Sequence, residues 1–423
     1  MIDPSLNNTE LHLHLYGCLS PDDVWELGKN HYKSQMPRLQ WYEDEFHKAI
    51  GRTPNWKDYW GADEEKGRGL LKEDYLFTQP ANFSVFQAKF NLGIALAPLQ
   101  SPHFDVLDIV FRNFTYSPLK YAEYRLLFPH FFSPGDLNIF LTRYAKKLDE
   151  LIGTLENGRE FKIAWSITRD QSYFLQSSLK LWEWRLAHPH WAHHFPSLDL
   201  CGDEEDDEPE LKKEDIHFLQ KTFQQSTEVQ PLKILYHVGE VFHRSSVFTA
   251  LRRIDRVAHF FVDRLGHASA LGMNPESLLG RPIPKENPAW TEMTRTWMTE
   301  LMDQASRRLE ASLQACAQSL FSENAPTTYN KEHCELLDFC QKAVLEKFAQ
   351  LPPHRRPFIE TCPTSNHLIG PFLWEHIPTL RLLEAQKLGS IRCAVSSDDP
   401  GIMNTSLANE WKIIESIRNS RFG

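Results

Sequence analysis

Eight short apolar runs alternate with helical patterns, histidines and acidic residues gather where several of those runs end, and no internal repeat is visible. Together these features predict a (β/α)8 TIM barrel over residues 1–423 as one domain. A doubly wound sheet is the competing arrangement of the same alternation. The strand-like runs are "ELHLHLYG" (10–17), "KYAEYRLLF" (120–128), "FKIAWSIT" (161–168), "SLDLCG" (197–202), "LKILYHVG" (232–239), "DRLGHA" (263–268), "PFIETCP" (357–363) and "IRCAVSSDD" (391–399). Runs of this length bounded by turn residues read as strands. The helical patterns include "LNIFLTRYAKKLDELIGTLENG" (137–158), "KKEDIHFLQKTFQQST" (212–227) and "HIPTLRLLEAQKLG" (376–389). The last stops at Gly389, a residue suited to a helix C-cap.

In the first run, period two puts His12 and His14 on one face, with Tyr16 following on the same face. A strand wall that only packed a core would not place two imidazoles there. Two later stretches break the alternation. Residues 29–80 are rich in aromatics (Trp41, Trp56, Trp60, Tyr42, Tyr59, Tyr75), and residues 273–350 hold long helical patterns. Both follow strand candidates, the first and the sixth. They are expected as helical insertions on the C-terminal face, suited to cover a site or to support oligomerisation. The charge run "GDEEDDEPELKKED" (202–215) is expected to be mostly a solvated loop and helix start.

Composition narrows the function classes. The chain is 41% hydrophobic and 24% charged, which is ordinary for a globular protein. A formal net charge of −10 argues against a nucleic-acid or membrane-surface footprint, though not against one small anionic ligand. No apolar run approaches the roughly 20 residues of a membrane span. The N-terminus lacks a secretory pattern, and the seven scattered cysteines do not form a disulfide framework. The expected location is cytoplasmic.

Four strand-end motifs carry chemistry: "HLHLYG", "YHVGE" with His237 and Glu240, "DRLGHA" with His267, and "SSDDPGI" with Asp398 and Asp399. In a barrel, the C-terminal strand ends converge on one pocket. Each motif alone is weak. Jointly, three histidines and an aspartate supply N and O ligands suited to Zn²⁺, with one position open for water. A glutamate, another histidine and a second aspartate remain for proton transfer.

These motifs resemble those of the adenosine deaminase family of metal-dependent amidohydrolases. That family carries H-x-H on the first strand, H-x-G-E after the fifth, G-H after the sixth and D-D-P after the eighth. All four occur here in order. "SLDLCGDE" (197–204) and "ETCPTSNHLIG" (360–370) resemble two further family segments, so the likeness spans residues 10 to 401. The resemblance implies that His12, His14, His237 and Asp398 bind one Zn²⁺ per chain, which lowers the pKa of its water. It implies that Asp399 orients the attacking hydroxide and that His267 stabilises it and moves protons. Glu240 would give a proton to N1 of a purine, so burial should raise its pKa. The Gly202 N–H would bond purine N3. Ammonia would leave from C6, with no organic cofactor.

The chain departs from the family in its longer insertions, in its short end after Asp399, and in Tyr16. Adenosine-specific members have an aspartate where Tyr16 stands, bonding the ribose 5′-hydroxyl. Losing that carboxylate removes a like-charge penalty against phosphate. Tyr16 is therefore read as a phenolic donor that tilts the substrate from adenosine or deoxyadenosine toward AMP or dAMP. The competing readings are a related hydrolase acting on another aminated ring, and a non-catalytic nucleotide-binding barrel.

Overall fold

The computed structural model describes residues 8–422 apart from residues 98–103, 130–132, 157, 170–172, 206–207, 242, 306–309, 323–324 and 371. Its centre is a parallel sheet of eight strands paired in sequence order: β1 (Thr9–His14), β2 (Tyr121–Leu127), β3 (Glu160–Thr168), β4 (Ser197–Cys201), β5 (Lys233–Val238), β6 (Arg264–His267), β7 (Phe358–Thr361) and β8 (Arg392–Val395). All eight coincide with the runs expected from sequence. β8 stops at Val395, and the barrel is closed beyond it by a parallel bridge between Leu13 and Asp398. In that bridge the His14 N–H donates to the Asp398 carbonyl at 3.0 Å, and the Asp398 N–H donates to the His12 carbonyl at 3.0 Å. The "HLH" and "DDP" motifs thus meet where the sheet closes.

Period-two alternation divides the strand residues between the two faces of the wall. On β3, Phe161 packs on Phe111 and Phe114, and Trp165 on Tyr144 and Phe195, in the outer layer. Inward, many barrels carry layers of Val, Ile and Leu. Here an ionic layer lies beneath the strand ends instead. Arg264 of β6 reaches Glu360 of β7 at 2.6 Å and also Glu123 of β2. Arg125 of β2 pairs with Glu360, and the Ser197 hydroxyl donates to Glu123. Taking one partner from such a buried network costs about 3–5 kcal/mol, because the other charge is left uncompensated.

Helices fill the connections. Between β1 and β2 they are Pro21–His31, Met36–Ile50, Trp56–Tyr59, Glu64–Tyr75, Phe83–Leu96 and Phe104–Tyr116, so the helical region runs well past residue 80. Ser20 opens the first with a capping box to Asp23 and Pro21 in its first turn, and Asn82 caps Phe83–Leu96 through the Val85 N–H. Between β6 and β7 lie Ser269–Gly272, Pro288–Gln304, Ala311–Leu320 and Lys331–Gln350. This second stretch packs sideways on the helix Val247–His259. The Trp297 indole and the Lys347 ammonium both donate to the buried Asp255, and Thr249 bonds Thr294 at 2.8 Å. The two insertions are therefore not equivalent, as the site makes plain below.

The charge run corrects another expectation. Glu204, Glu205 and Glu208 are buried rather than solvated. Glu208 pairs with Arg252 and Arg253 on Val247–His259, and Glu205 accepts from the Arg244 N–H and the Ser245 hydroxyl. Buried carboxylates need such partners, and theirs lie some forty residues further along the chain. Residues 206 and 207 of the run lie outside the described residues. No helix among the described residues is long and apolar enough to cross a membrane. All seven cysteines are free.

Candidate functional site

A cavity of about 320 Å³ opens at the C-terminal ends of the strands. His14, His237, Glu240, His267, Asp398, Asp399, Gly202 and Tyr16 all line it. His12 is fully buried just beneath, its Nε2 3.1 Å from His237 Nε2. His14 Nε2 lies 3.3 Å from the same nitrogen. Asp398 Oδ1 stands 3.3 Å from His12 Nε2 and 3.4 Å from His14 Nε2. The donor atoms of His12, His14 and Asp398 thus lie within 4.8 Å of one another, and His237 Nε2 stands against both histidines.

Their outer partners fix which atoms face inward. His237 Nδ1 lies 3.1 Å from both the Leu200 carbonyl and Asp199 Oδ1, so that nitrogen carries the proton. His12 Nδ1 faces Glu360 Oε2 at 3.2 Å. Both rings therefore turn bare Nε2 lone pairs toward the cluster. Arg125, which can only donate, contacts both of these nitrogens. Among the described residues, Asp398 Oδ1 has no hydrogen-bond donor. Lone pairs facing one another at such distances, backed by carboxylates and a carbonyl, make a set of N and O donors that fits a divalent cation.

Burial pulls His14 down to about 3 and lowers His237 and His267, so their neutral forms prevail near pH 7. Burial alone would raise Asp398, but His12, His267 and His14 together hold it well below the usual carboxylate range. The neighbouring acids go the other way. Burial, then the Asp398 and Glu204 charges, push Glu240 well above that range. Burial, then Asp398 and Glu240, do the same to Asp399. The charge of the three carboxyls is thus favoured on Asp398 over its two neighbours. His267 stands between them, its Nε2 3.4 Å from Glu240 Oε2 and 3.8 Å from Asp398 Oδ2.

The backbone is strained here. Of the five non-glycine residues with positive φ among the described residues, three (His267, Ala268 and Asp398) belong to this site. Gly266 is needed for close approach, because a Cβ there would stand 2.8 Å from His12 Cε1. Gly202 has φ +89°, and the nearest atom to a Cβ there is 3.7 Å away, so conformation rather than crowding requires the glycine.

No protein-family model matches this sequence, and no curated protein sequence does. Solved structures do match. Arabidopsis ADAL complexed with GMP superposes with a TM-score of 0.57 at 15% identity, covering 98% of this chain and 87% of that one. The arabidopsis N6-mAMP deaminase MAPDA gives 0.56 at 16% identity, with 98% and 88% covered. Adenine deaminase from Arthrobacter aurescens gives 0.53 at 14% identity, with 97% and 88% covered. This chain shares their fold.

Tyr16 reaches the cavity by a different route from the expected one. β1 ends at His14, Leu15 takes helical dihedrals, and Tyr16 opens a short 3₁₀ turn, Tyr16–Cys18. It is that turn, not strand alternation, which presents the side chain. The cavity wall itself was not read from sequence. It comes from the helix Phe83–Leu96, through Phe83, Phe86, Gln87, Phe90, Asn91 and Ile94, together with Trp41. Phe83, Phe86 and Phe90 stack along one helix face with centroids 5.8 and 5.7 Å apart, and Phe90 meets His14 and Tyr16 edge-on. Their i, i+3, i+7 spacing was the available signal. No described residue of 273–350 lines the cavity. Sequence reading also passed over Arg125, Asp199 and Glu360. Each sits on an inward position of a strand run, where alternation alone marks it.

Proposed function

We propose that this protein is a metal-dependent hydrolase that removes the 6-amino group of an adenine nucleoside or its 5′-monophosphate, giving the inosine-type product and ammonia. The observation that carries this reading is a cavity in which the N and O donors of His12, His14, His237 and Asp398 gather, with the Glu240 carboxyl beside His267. His12, His14, His237 and Asp398 would hold the cation, and three imidazoles with one carboxylate suit zinc. A cation bound there acts as a Lewis acid and makes water nucleophilic near neutral pH.

The chain's own residues do the rest. Glu240, pushed toward its protonated form by burial, gives its proton to N1 of the purine and makes C6 electrophilic. Asp399 aims the attacking water at C6. His267, held neutral by burial and bonded through Nδ1 to the Asn366 side chain, accepts and passes on a proton. The Gly202 N–H bonds N3, and the aromatic wall holds the purine while limiting water. Addition of water at C6 and loss of the amino group as ammonia complete a balanced hydrolysis. Solved structures with this fold include deaminases of adenine and of N6-methyl-AMP, which is in keeping with the reading.

Two observations bear on the far end of the substrate. Burial pushes the Tyr16 phenol up, with the Arg38 guanidinium pulling against it, so Tyr16 is a neutral donor with a cation nearby. This favours the 5′-monophosphate. Against it, Arg125 is the only Arg or Lys among the described lining residues, and the lining is largely aromatic, which favours a nucleoside. Assaying adenosine, deoxyadenosine, AMP and dAMP side by side by loss of adenine absorbance, with metal content measured on the same sample, tests the reading. Turnover of any of them with about one metal per chain is the expected result. Bound metal with no turnover of any would favour the non-catalytic barrel, and adenosine far faster than both monophosphates would remove the phosphate preference.

A further inference from the structure

Glu240 is weakly held by its own side chain. Its carboxyl contacts Ser365 Oγ at 3.5 Å and His267 Nε2 at 3.4 Å, both long for hydrogen bonds. It also lies past the end of β5, which stops at Val238, so no ladder fixes its backbone. Something else must set where the carboxyl points, because a displacement of about 1 Å at a reacting group costs on the order of 10²-fold in rate.

Glu204 occupies that place. It follows β4 by three residues and is only 2% exposed. One carboxylate oxygen accepts the Gly239 N–H at 2.5 Å and the other accepts the Val241 N–H. These are the backbone amides of the residues on either side of Glu240. The carboxylate therefore bridges the loop at both flanks of one residue. Burial raises its pKa, and Arg169, Arg253 and the two bonded N–H groups pull against that. Arg169 in turn donates to the His237 carbonyl at 2.8 Å and to the Cys201 carbonyl at 3.3 Å, tying the ends of β4 and β5 to the same clamp. Glu205 pins the loop further along, at Arg244 and Ser245, away from Glu240.

We propose that Glu204 is the positioning residue for Glu240, its two oxygens holding the N–H groups of the neighbouring residues Gly239 and Val241 so that the Glu240 carboxyl meets the ring nitrogen of the substrate. This rests on the deaminase reading above. An amide in its place keeps the shape but offers one acceptor, so one of the two N–H groups loses its partner.

The test uses the full-length, metal-loaded protein. Turnover of an adenine compound by the wild type, and its loss in Glu240→Gln, establish the reading first. If either fails, it is the deaminase reading that falls. Glu204→Gln is then expected to lower kcat per metal-loaded chain by about 10- to 100-fold, with KM within about 3-fold and metal content unchanged. Glu205→Gln, equally buried, is expected to lower Tm with little change in kcat. In the Glu240→Gln background, adding Glu204→Gln should cost less than about 3-fold, because the residue acts through the one already altered. A wild-type kcat in Glu204→Gln, or the full loss repeated in the Glu240→Gln background, would overturn the proposal. Should Glu204→Gln fold poorly, Glu204→Asp, which keeps the charge but shortens the reach, is expected to show the same kcat loss at unchanged KM. Wild-type kcat in that variant would overturn the proposal equally.

Discussion

The floor and the wall of the cavity are built by different physics. The floor comes from strand ends and the closing bridge, and its groups are tied to partners deeper in the sheet: His12 to Glu360, His237 to Asp199 and Leu200, His267 to Asn366. Backbone strain at His267, Ala268 and Asp398 is kept there because the surrounding sheet over-determines it. The wall comes from one inserted helix and Trp41. Its phenylalanine rings lie 5.8 and 5.7 Å apart by centroid, and Phe90 meets His14 and Tyr16 at 6.3 and 6.4 Å. A floor of that kind fixes atoms, whereas a wall of rings fixes only a shape. Chemistry that needs accurate distances belongs to the first, and selection among substrates to the second.

The largest expected effects lie on the floor. His237→Ala removes one donor and its link to Asp199. It should abolish both bound metal and turnover, measured by metal analysis and adenine absorbance. Chelation of the wild type should do the same, reversibly on adding Zn²⁺. Glu240→Gln should cost about 10²–10⁴-fold in kcat while metal stays bound. The pH profile follows from the direction of the shift. Glu240 serves while protonated, and its pKa is raised, so kcat/KM should hold through neutral pH and fall as pH rises through that raised value. A profile rising with pH across that range would break the assignment. One layer lower, Asp199→Asn leaves the ligands intact but removes the charge behind His237. It should weaken metal binding by about 10- to 100-fold, read by competition with a chelating dye.

The same contrast explains what the sequence disclosed. His12, His14, His237, His267 and Asp398 could be read because chemical residues stood out at the ends of apolar runs, where barrel geometry gathers them. Asp199, Glu360 and Arg125 were hidden because inside a strand run an inward charged residue has no signature until its cross-barrel partners are known. The acidic run misled for a related reason. A run of like charges reads as solvated unless its counter-ions are in view, and Arg252 and Arg253 belong to another element. The wall was illegible because an insertion's path over the barrel is set by tertiary packing. The same composition places Phe90 over the site and Trp297 on the barrel's flank, against Asp255.

The smallest expected effect is the one that tests the comparison most closely. Phe90 is half-buried and touches His14, Tyr16 and Phe86 only by ring edges and faces. Phe90→Ala removes an aromatic contact worth about 1 kcal/mol, so KM should rise about 5-fold with kcat nearly unchanged. The cost to Tm should be modest, since the site is open to solvent and no sealed cavity is left behind. If kcat instead falls along with the rise in KM, the ring is needed in the transition state and the wall is part of the catalytic geometry. The boundary between floor and wall would then lie between Phe90 and Phe86 rather than between His14 and Phe90. Phe86→Leu, one turn further out and buried, would locate it: that variant should move KM only, whichever way Phe90 behaves.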